Sequence, residues 1–348
     1  APVAASIADK KRVKLPGLRI TTVLSFIFFF LTGVIAAFYP DHYVLALVFA
    51  TLAMYLYLFC FTYYHPLLSD IAPPEKQGLA SGWGIFGNET GQIFALLASI
   101  PLASGTIILF HSSLRAQTLI PAAILFFVFS LPMLIFFKEK NTKLEVKANL
   151  KSEYKSIVKS TVEMFKLPGL GRFFLAYFFF NDAIITASNN FAIYLERVFQ
   201  VNDTTKSLVL VGIIFVGAIG APISGWISDK YGWKRTLMWL LIGFAVIFPL
   251  LSVLSNFYIF LAVVIIMGLW WGGIWSVTRA IVLDLTPERD LNQAFTFYTL
   301  MERFSTLIGP ISCGLIVAFV TQDTNKLKTI STISFFMDCS TVVKLKDV

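Results

Sequence analysis

Three carboxylates and one guanidinium stand where an apolar chain has least reason to put them. Glu89, Asp182, Glu302 and Arg303 each lie about ten residues inside a long apolar run. A helix rises 1.5 Å per residue, so each is carried ~15 Å from the flanking polar loop, to the middle of a hydrocarbon layer ~30 Å thick. A charge at that depth costs at least ~2.5–3.5 kcal/mol. Two kinds of chemistry would justify the cost. A carboxylate shielded from water exchanges a proton near neutral pH, and a guanidinium grips a carboxylate with paired hydrogen bonds. Asp182, whose sequence neighbours are neutral, is the candidate to bind a coupling proton or cation; Arg303 is the candidate anchor for a substrate carboxylate. Together they suit an amino acid or another small anion. A second reading stays open, in which the four groups pair with one another and staple helices.

Helical phase adds neutral polar partners. Asp182, Thr186 and Asn189 follow an i, i+4, i+7 spacing that shares one face, with Asn181 and Asn190 flanking it. Ser81, Asn88, Gln92 and Ser99 form a stripe with Glu89 at its edge, and Gly84, Gly87 and Gly91 make a neighbouring small-residue stripe suited to close helix packing. Tyr298, Thr299, Glu302, Arg303 and Thr306 form a third polar arc. These arcs are expected to face a water-filled cavity. Arg279 is read differently, as snorkelling or pairing locally with Asp284, and Trp270 as a packing residue.

The elements that must position these groups are membrane helices. Of the 348 residues, 57% are hydrophobic and 14% charged, against roughly 25% charged in a soluble domain. Apolar runs near 18–38, 43–66, 80–104, 118–137, 171–195, 207–227, 236–255, 258–283 and 293–320 are each long enough to span a bilayer. A tenth stretch, 329–343, is short and carries Asp338. Only helices satisfy their own backbone at such length, and alternating strands are missing from the pattern. The net charge of +8 comes from cations gathered in alternate loops, at Lys10–Arg19, Lys76, Lys138–Arg172, Lys230–Arg235 and Arg289. By the positive-inside rule these loops face the cytoplasm. Nucleic acid is thereby set aside as a partner; the expected partners are the lipid bilayer and a small-molecule solute, with the chain acting as a monomer. Between Lys138 and Arg172, Leu150, Tyr154, Ile157, Val158, Thr161 and Phe165 recur at helical spacing opposite lysines, which predicts an amphipathic helix on the inner leaflet.

Other chemistries lack their residues. Cys60, Cys313 and Cys339 and the three histidines form no ligand spacing, so no metal is expected. No Gly-x-x-x-x-Gly-Lys-[Ser/Thr] loop is present for nucleotide binding. No cofactor is expected, and an enzyme has no visible catalytic set.

Charged loops repeat. The stretch GWISDKYGWKR contains Gly225, Asp229, Lys230, Gly232, Lys234 and Arg235; ASIADKKRVK carries Asp9, Lys10 and Lys14 ahead of an equivalent span. One turn later, SDIAPPEKQ (Asp70, Pro73, Glu75) and LDLTPERDLNQ (Asp284, Pro287, Glu288) recur in the same order. Two halves of one orientation joined by a long cytoplasmic loop follow the parallel-repeat plan of a secondary transporter. The expected division is 1–137, a linker 138–170 and 171–348.

Gly225 to Arg235 fit G-x-x-x-D-[RK]-x-G-x-[RK]-[RK], and in this the chain resembles the major facilitator superfamily. HPLLSDIAPPEKQGLASGWGIFGNETGQ, RFFLAYFFFNDAIIT and IVLDLTPERDLNQAFTFY bring it closest to the autophagy-related vacuolar effluxers and their bacterial members. The resemblance implies an all-α polytopic membrane protein of the two-half helical bundle type. It implies a conformational latch built on Gly225, Asp229, Lys230, Gly232, Lys234 and Arg235, joining two helices of one half. Arg12 replaces the corresponding glycine of the first copy, which leaves the second as the expected latch. The first charged loop of such proteins follows their second span, so the chain is expected to lack spans one and two and to be incomplete at its C-terminus. The implied activity is alternating-access export of small neutral amino acids, proton-coupled, across a bacterial inner membrane or a fungal vacuolar membrane. A sugar or lipid carrier on the same fold, or a polytopic protein that transports nothing, is the alternative.

Overall fold

The computed structural model describes residues 2–11, 13–110, 116–139, 165, 167 and 169–320. Most of the expected linker helix, the stretch 329–343, Arg12 and Cys339 lie outside the described residues. The helices are α1 (Pro2–Lys11), α2 (Leu15–Phe38), α3 (Tyr43–Tyr64), the one-turn α4 (Leu68–Ile71), α5 (Gln77–Ala103), α6 (Leu119–Phe136), α7 (Leu170–Phe199), α8 (Asp203–Tyr231), α9 (Trp233–Val253), α10 (Phe257–Leu285) and α11 (Leu291–Val320). No strand occurs among the described residues.

Among the described residues, seven stretches are long and apolar enough to cross a membrane: Leu15–Phe38, Pro40–Ile71, Ala116–Phe136, Leu170–Ala192, Thr205–Tyr231, Trp233–Val253 and Phe257–Leu285. The nine expected spans included α5 and α11. Both form continuous helices. The polar side chains Asn88, Glu89, Thr90 and Gln92 interrupt α5 and leave it short of that apolarity. Large apolar side chains lie exposed along the others, Val44, Leu47, Trp239 and Val246 among them. In water such surfaces would be costly; against lipid they are solvated.

The chain divides into two compact units that interleave in sequence. The first comprises residues 1–73, 91–164 and 286–299; the second comprises 74–90, 165–285 and 300–348. In the first, α2 packs on α3 and α6. The Gly17 backbone lies against the Tyr63 ring, where a Cβ would collide with it. Leu15, Leu18, Cys60, Tyr63, Leu67 and Leu134 close the core beside them. Ser25 donates across to the Ala53 carbonyl at 3.1 Å.

In the second unit, small residues bring backbones together. Gly217 on α8 faces Gly272 on α10, and Gly220 faces Leu269, each with no room for a Cβ. Gly243 on α9 takes the indole of Trp270, confirming that this tryptophan packs. Without an aqueous hydrophobic drive between lipid-solvated helices, such close approach supplies the dispersion contacts that hold them. Tyr194 of α7 stacks on Phe260 of α10 and donates to the Leu251 carbonyl of α9 at 3.2 Å. Gly232 ends α8 with φ +90°; nothing crowds its Cα, so conformation rather than space calls for glycine there.

Candidate functional site

The motif aspartate, Asp229, lies in the last turn of α8. Its carboxylate accepts hydrogen bonds from the backbone N–H groups of Gly78 and Leu79, both at 2.7 Å. These donors open α5, where helical N–H groups have no partner in their own helix and the dipole favours an anion. The approach needs small residues on both helices. A Cβ at Gly78 would strike Asp229, and one at Gly225 would strike the Gly78 carbonyl. Ser81 donates to the Ser276 carbonyl at 2.8 Å, and Ser276 donates to the Gly78 carbonyl at 3.2 Å, so α10 joins the same knot. The partner of Asp229 is therefore a helix from the first part of the chain, not a neighbour within 171–348. Lys230 lies over the Trp226 and Tyr231 rings, and Lys234 and Arg235 are exposed. None of the three cations pairs with Asp229 among the described residues.

The first copy makes the matching contact inside its own unit. Asp9 accepts from Asn292 N–H at 2.9 Å, from Asn292 Nδ2 at 2.7 Å and from Gln293 N–H at 3.0 Å, at the start of α11. The glycine replaced by Arg12 is thus not needed for this cap. Burial pushes the Asp9 carboxyl up to about 7; the bonds from Asn292 and Gln293 pull it down, and Asp290 nearby adds to the rise. Lys14 is buried and paired with Asp70 at 3.0 Å, with the Pro66 carbonyl and Ser69 Oγ as further acceptors. The equivalent of Asp70, Asp284, accepts from Trp233 Nε1 at 2.7 Å instead.

The midplane groups gather in the second unit. Glu89 is buried with Gly78, Ser81, Gly82 and Ile85 along the packed face of α5, while Asn88 and Gln92 are exposed. The expected packing stripe is displaced: nothing approaches Gly84, Gly87 or Gly91, and Gly82 presses instead against Ala221 and Pro222 of α8. Glu89, expected at the edge of the polar stripe, lies on the packed face with Ser81. On α7, Asn181 is buried and donates to Ser305 Oγ at 2.5 Å and to the Glu302 carbonyl at 3.3 Å. Asp182 beside it is half-buried, Thr186 is buried and Asn189 is exposed.

Arg279 departs most from expectation. It is 9% exposed, its Nε donates to the Trp275 carbonyl at 3.3 Å, and it lies in electrostatic reach of both Glu89 and Glu302. It neither snorkels nor pairs with Asp284, whose carboxylate Trp233 engages. Arg303, with its side chain 47% exposed, pairs with its own neighbour Glu302 at 3.2 Å. The sequence signal for Arg279 was its place six residues inside the end of a span, which read as an interfacial position.

Two expected site residues belong to the first unit. Gln92 is exposed there, and Tyr298 is buried beside His65 and Phe295. His65, stacked on Phe61 with ring centroids 5.0 Å apart, is an aromatic-lined imidazole that spacing alone did not single out.

With this geometry in view, likeness to known proteins is informative. The sequence profile of the Major Facilitator Superfamily matches residues 173–324. YxiO of Bacillus subtilis, an uncharacterized MFS-type transporter, is 23% identical over 94% of this chain and 76% of its own length. Autophagy-related protein 22 of Pichia angusta is 23% identical over 47% of this chain and 31% of its own length. Among solved structures, the MFS transporter FucP in its outward conformation aligns with 96% of this chain and 83% of its own, with a TM-score of 0.71 at 15% identity. The chain is thus a multi-pass membrane protein that carries a Major Facilitator Superfamily domain over residues 173–324 and shares the all-helical fold of that superfamily's solved structures.

Proposed function

We propose that the protein exports small neutral amino acids by alternating access, driven by a proton that Asp182 takes up and releases. The observation that carries this reading is the convergence of charged and amide groups from four helices within one unit. Glu89 of α5 and Glu302 of α11 both lie near Arg279 of α10, and Asn181 of α7 bonds to α11 one residue from Asp182. A zwitterion needs opposite charges a few ångströms apart, and this set offers both signs. The substrate class is the one implied by the resemblance of the quoted stretches to the autophagy-related vacuolar effluxers. The helix caps at Asp229 and Asp9 supply bonds that can break and re-form as the carrier changes state, each a few kcal/mol at most. These two aspartates, with Gly225 and Gly232, are the latch; Lys230, Lys234 and Arg235 supply the positive-inside flank.

The test is exchange. Proteoliposomes holding an unlabelled small neutral amino acid should take up the labelled one faster than empty vesicles, the mark of a carrier that must reload to return. Uptake that ignores the internal amino acid contradicts the carrier reading. The alternative, that these groups only staple helices, is favoured by the Asn181–Ser305 bond and predicts no exchange of any solute.

A further inference from the structure

Buried polar atoms in folded proteins are nearly always hydrogen-bonded, and an exception calls for an explanation. Arg279 Nη2, Asn181 Oδ1 and Thr186 Oγ1, all in the second unit, are such exceptions, with no hydrogen-bond partner among the described residues. They are not scattered. Asn181 already touches the Glu302 carbonyl, and Arg279 lies in electrostatic reach of the same Glu302. A donor and an acceptor are therefore left over around one acidic residue, and Thr186 adds a third such atom on the helix of Asn181.

Arg279 is the most demanding of the three. The Arg279 guanidinium lies in electrostatic reach of Glu89 and Glu302, yet its planar fork keeps one nitrogen unbonded. That costs free energy unless something occupies the position for part of the working cycle. A guanidinium fork fits a carboxylate with two parallel bonds. The leftover acceptors Asn181 Oδ1 and Thr186 Oγ1, one and four residues from Asp182, suit an ammonium group.

We propose that Arg279, rather than Arg303, anchors the carboxylate of the solute, and that Asn181 and Thr186 receive its ammonium end. The proposal rests on the amino-acid reading above and assigns its chemistry. Arg303 is half-exposed and already engaged by Glu302 on its own helix, so it offers a weaker and less desolvated grip.

The test uses purified protein and three small probes: labelled alanine, labelled propionate, and alaninamide as competitor. Wild type should bind alanine at least tenfold more tightly than alaninamide, because the amide cannot form the paired bonds to a guanidinium. Arg279→Gln should erase that preference, whereas Arg303→Gln should keep it. Should Arg279→Gln fail to fold, Arg279→Lys retains the charge that Glu89 and Glu302 face but not the fork, and should reduce the preference severalfold. A preference unchanged in both Arg279 variants, or lost in Arg303→Gln, overturns the assignment. Propionate separates the two readings. If wild type binds propionate as well as alanine, and only the Arg279 variants lose it, the anchor stands and the amino-acid reading falls. If wild type binds neither carboxylate, the anchor falls.

Discussion

Asp229 and Asp9 show how much a single carboxylate can organise when two or three N–H groups of a foreign helix converge on it. Capping of this kind is worth ~1–2 kcal/mol. Asp229→Ala should therefore speed hydrogen exchange at the Gly78 and Leu79 amides by about tenfold, read by exchange mass spectrometry on the α5 peptide; unchanged exchange would mean that the cap is incidental. Asp9 adds a pH dependence whose sign follows from its environment. In the capped arrangement its carboxyl is raised to about 7 from an ordinary 3.8. The capped form thus holds a proton that a released, hydrated Asp9 would lose. Its relative stability is greatest below about pH 4, falls as pH rises from about 4 to about 7, and is level above that. Exchange at Asn292 and Gln293, corrected for the intrinsic pH dependence of amide exchange, should become faster between about pH 4 and about pH 7, and Asp9→Asn should flatten that change. The groups facing Asp9 are Asn292, Gln293 and Asp290, with Lys10 and Lys11 next to it in sequence. A profile that is flat in wild type contradicts the assignment.

At the scale of helices, glycine position separates contact from composition. Gly225→Ala would drive a Cβ into the Gly78 carbonyl, and Gly272→Ala into Gly217. Overpacking of this kind costs ~1–3 kcal/mol, so both variants should lower the melting temperature in detergent. Gly84→Ala, Gly87→Ala and Gly91→Ala meet open space, and should be neutral or gain up to ~1 kcal/mol from helix propensity. Spacing assigned close packing to Gly84, Gly87 and Gly91, whereas Gly78 and Gly82 are the α5 glycines pressed against α8. Phase within a helix is readable from spacing; the identity of the helix across from it is not. The same limit explains Asp229. Its type and spacing marked it as a latch residue, but a partner 151 positions away was beyond reach of a local pattern.

For the molecule as a whole, the helices could be read from residue order, because bilayer thickness and helical rise are fixed quantities. Arg279 could not be placed that way: a cation six residues from a helix end is equally suited to an interface and to an interior, and only its burial within reach of Glu89 and Glu302 decides. The interleaving of 74–90 and 286–299 into opposite units was likewise hidden, since the repeat suggested a single break near the linker.

The central claim, a proton-coupled amino-acid carrier, is tested most directly in proteoliposomes loaded with labelled small neutral amino acids. Efflux would be followed with and without an imposed pH gradient, for wild type and for Asp182→Asn, with vesicles lacking protein as the baseline. The account predicts gradient-dependent efflux in wild type, reduced at least tenfold by the substitution. No efflux from wild type above the protein-free vesicles contradicts the amino-acid assignment, and gradient-driven efflux that survives in Asp182→Asn contradicts the role of Asp182.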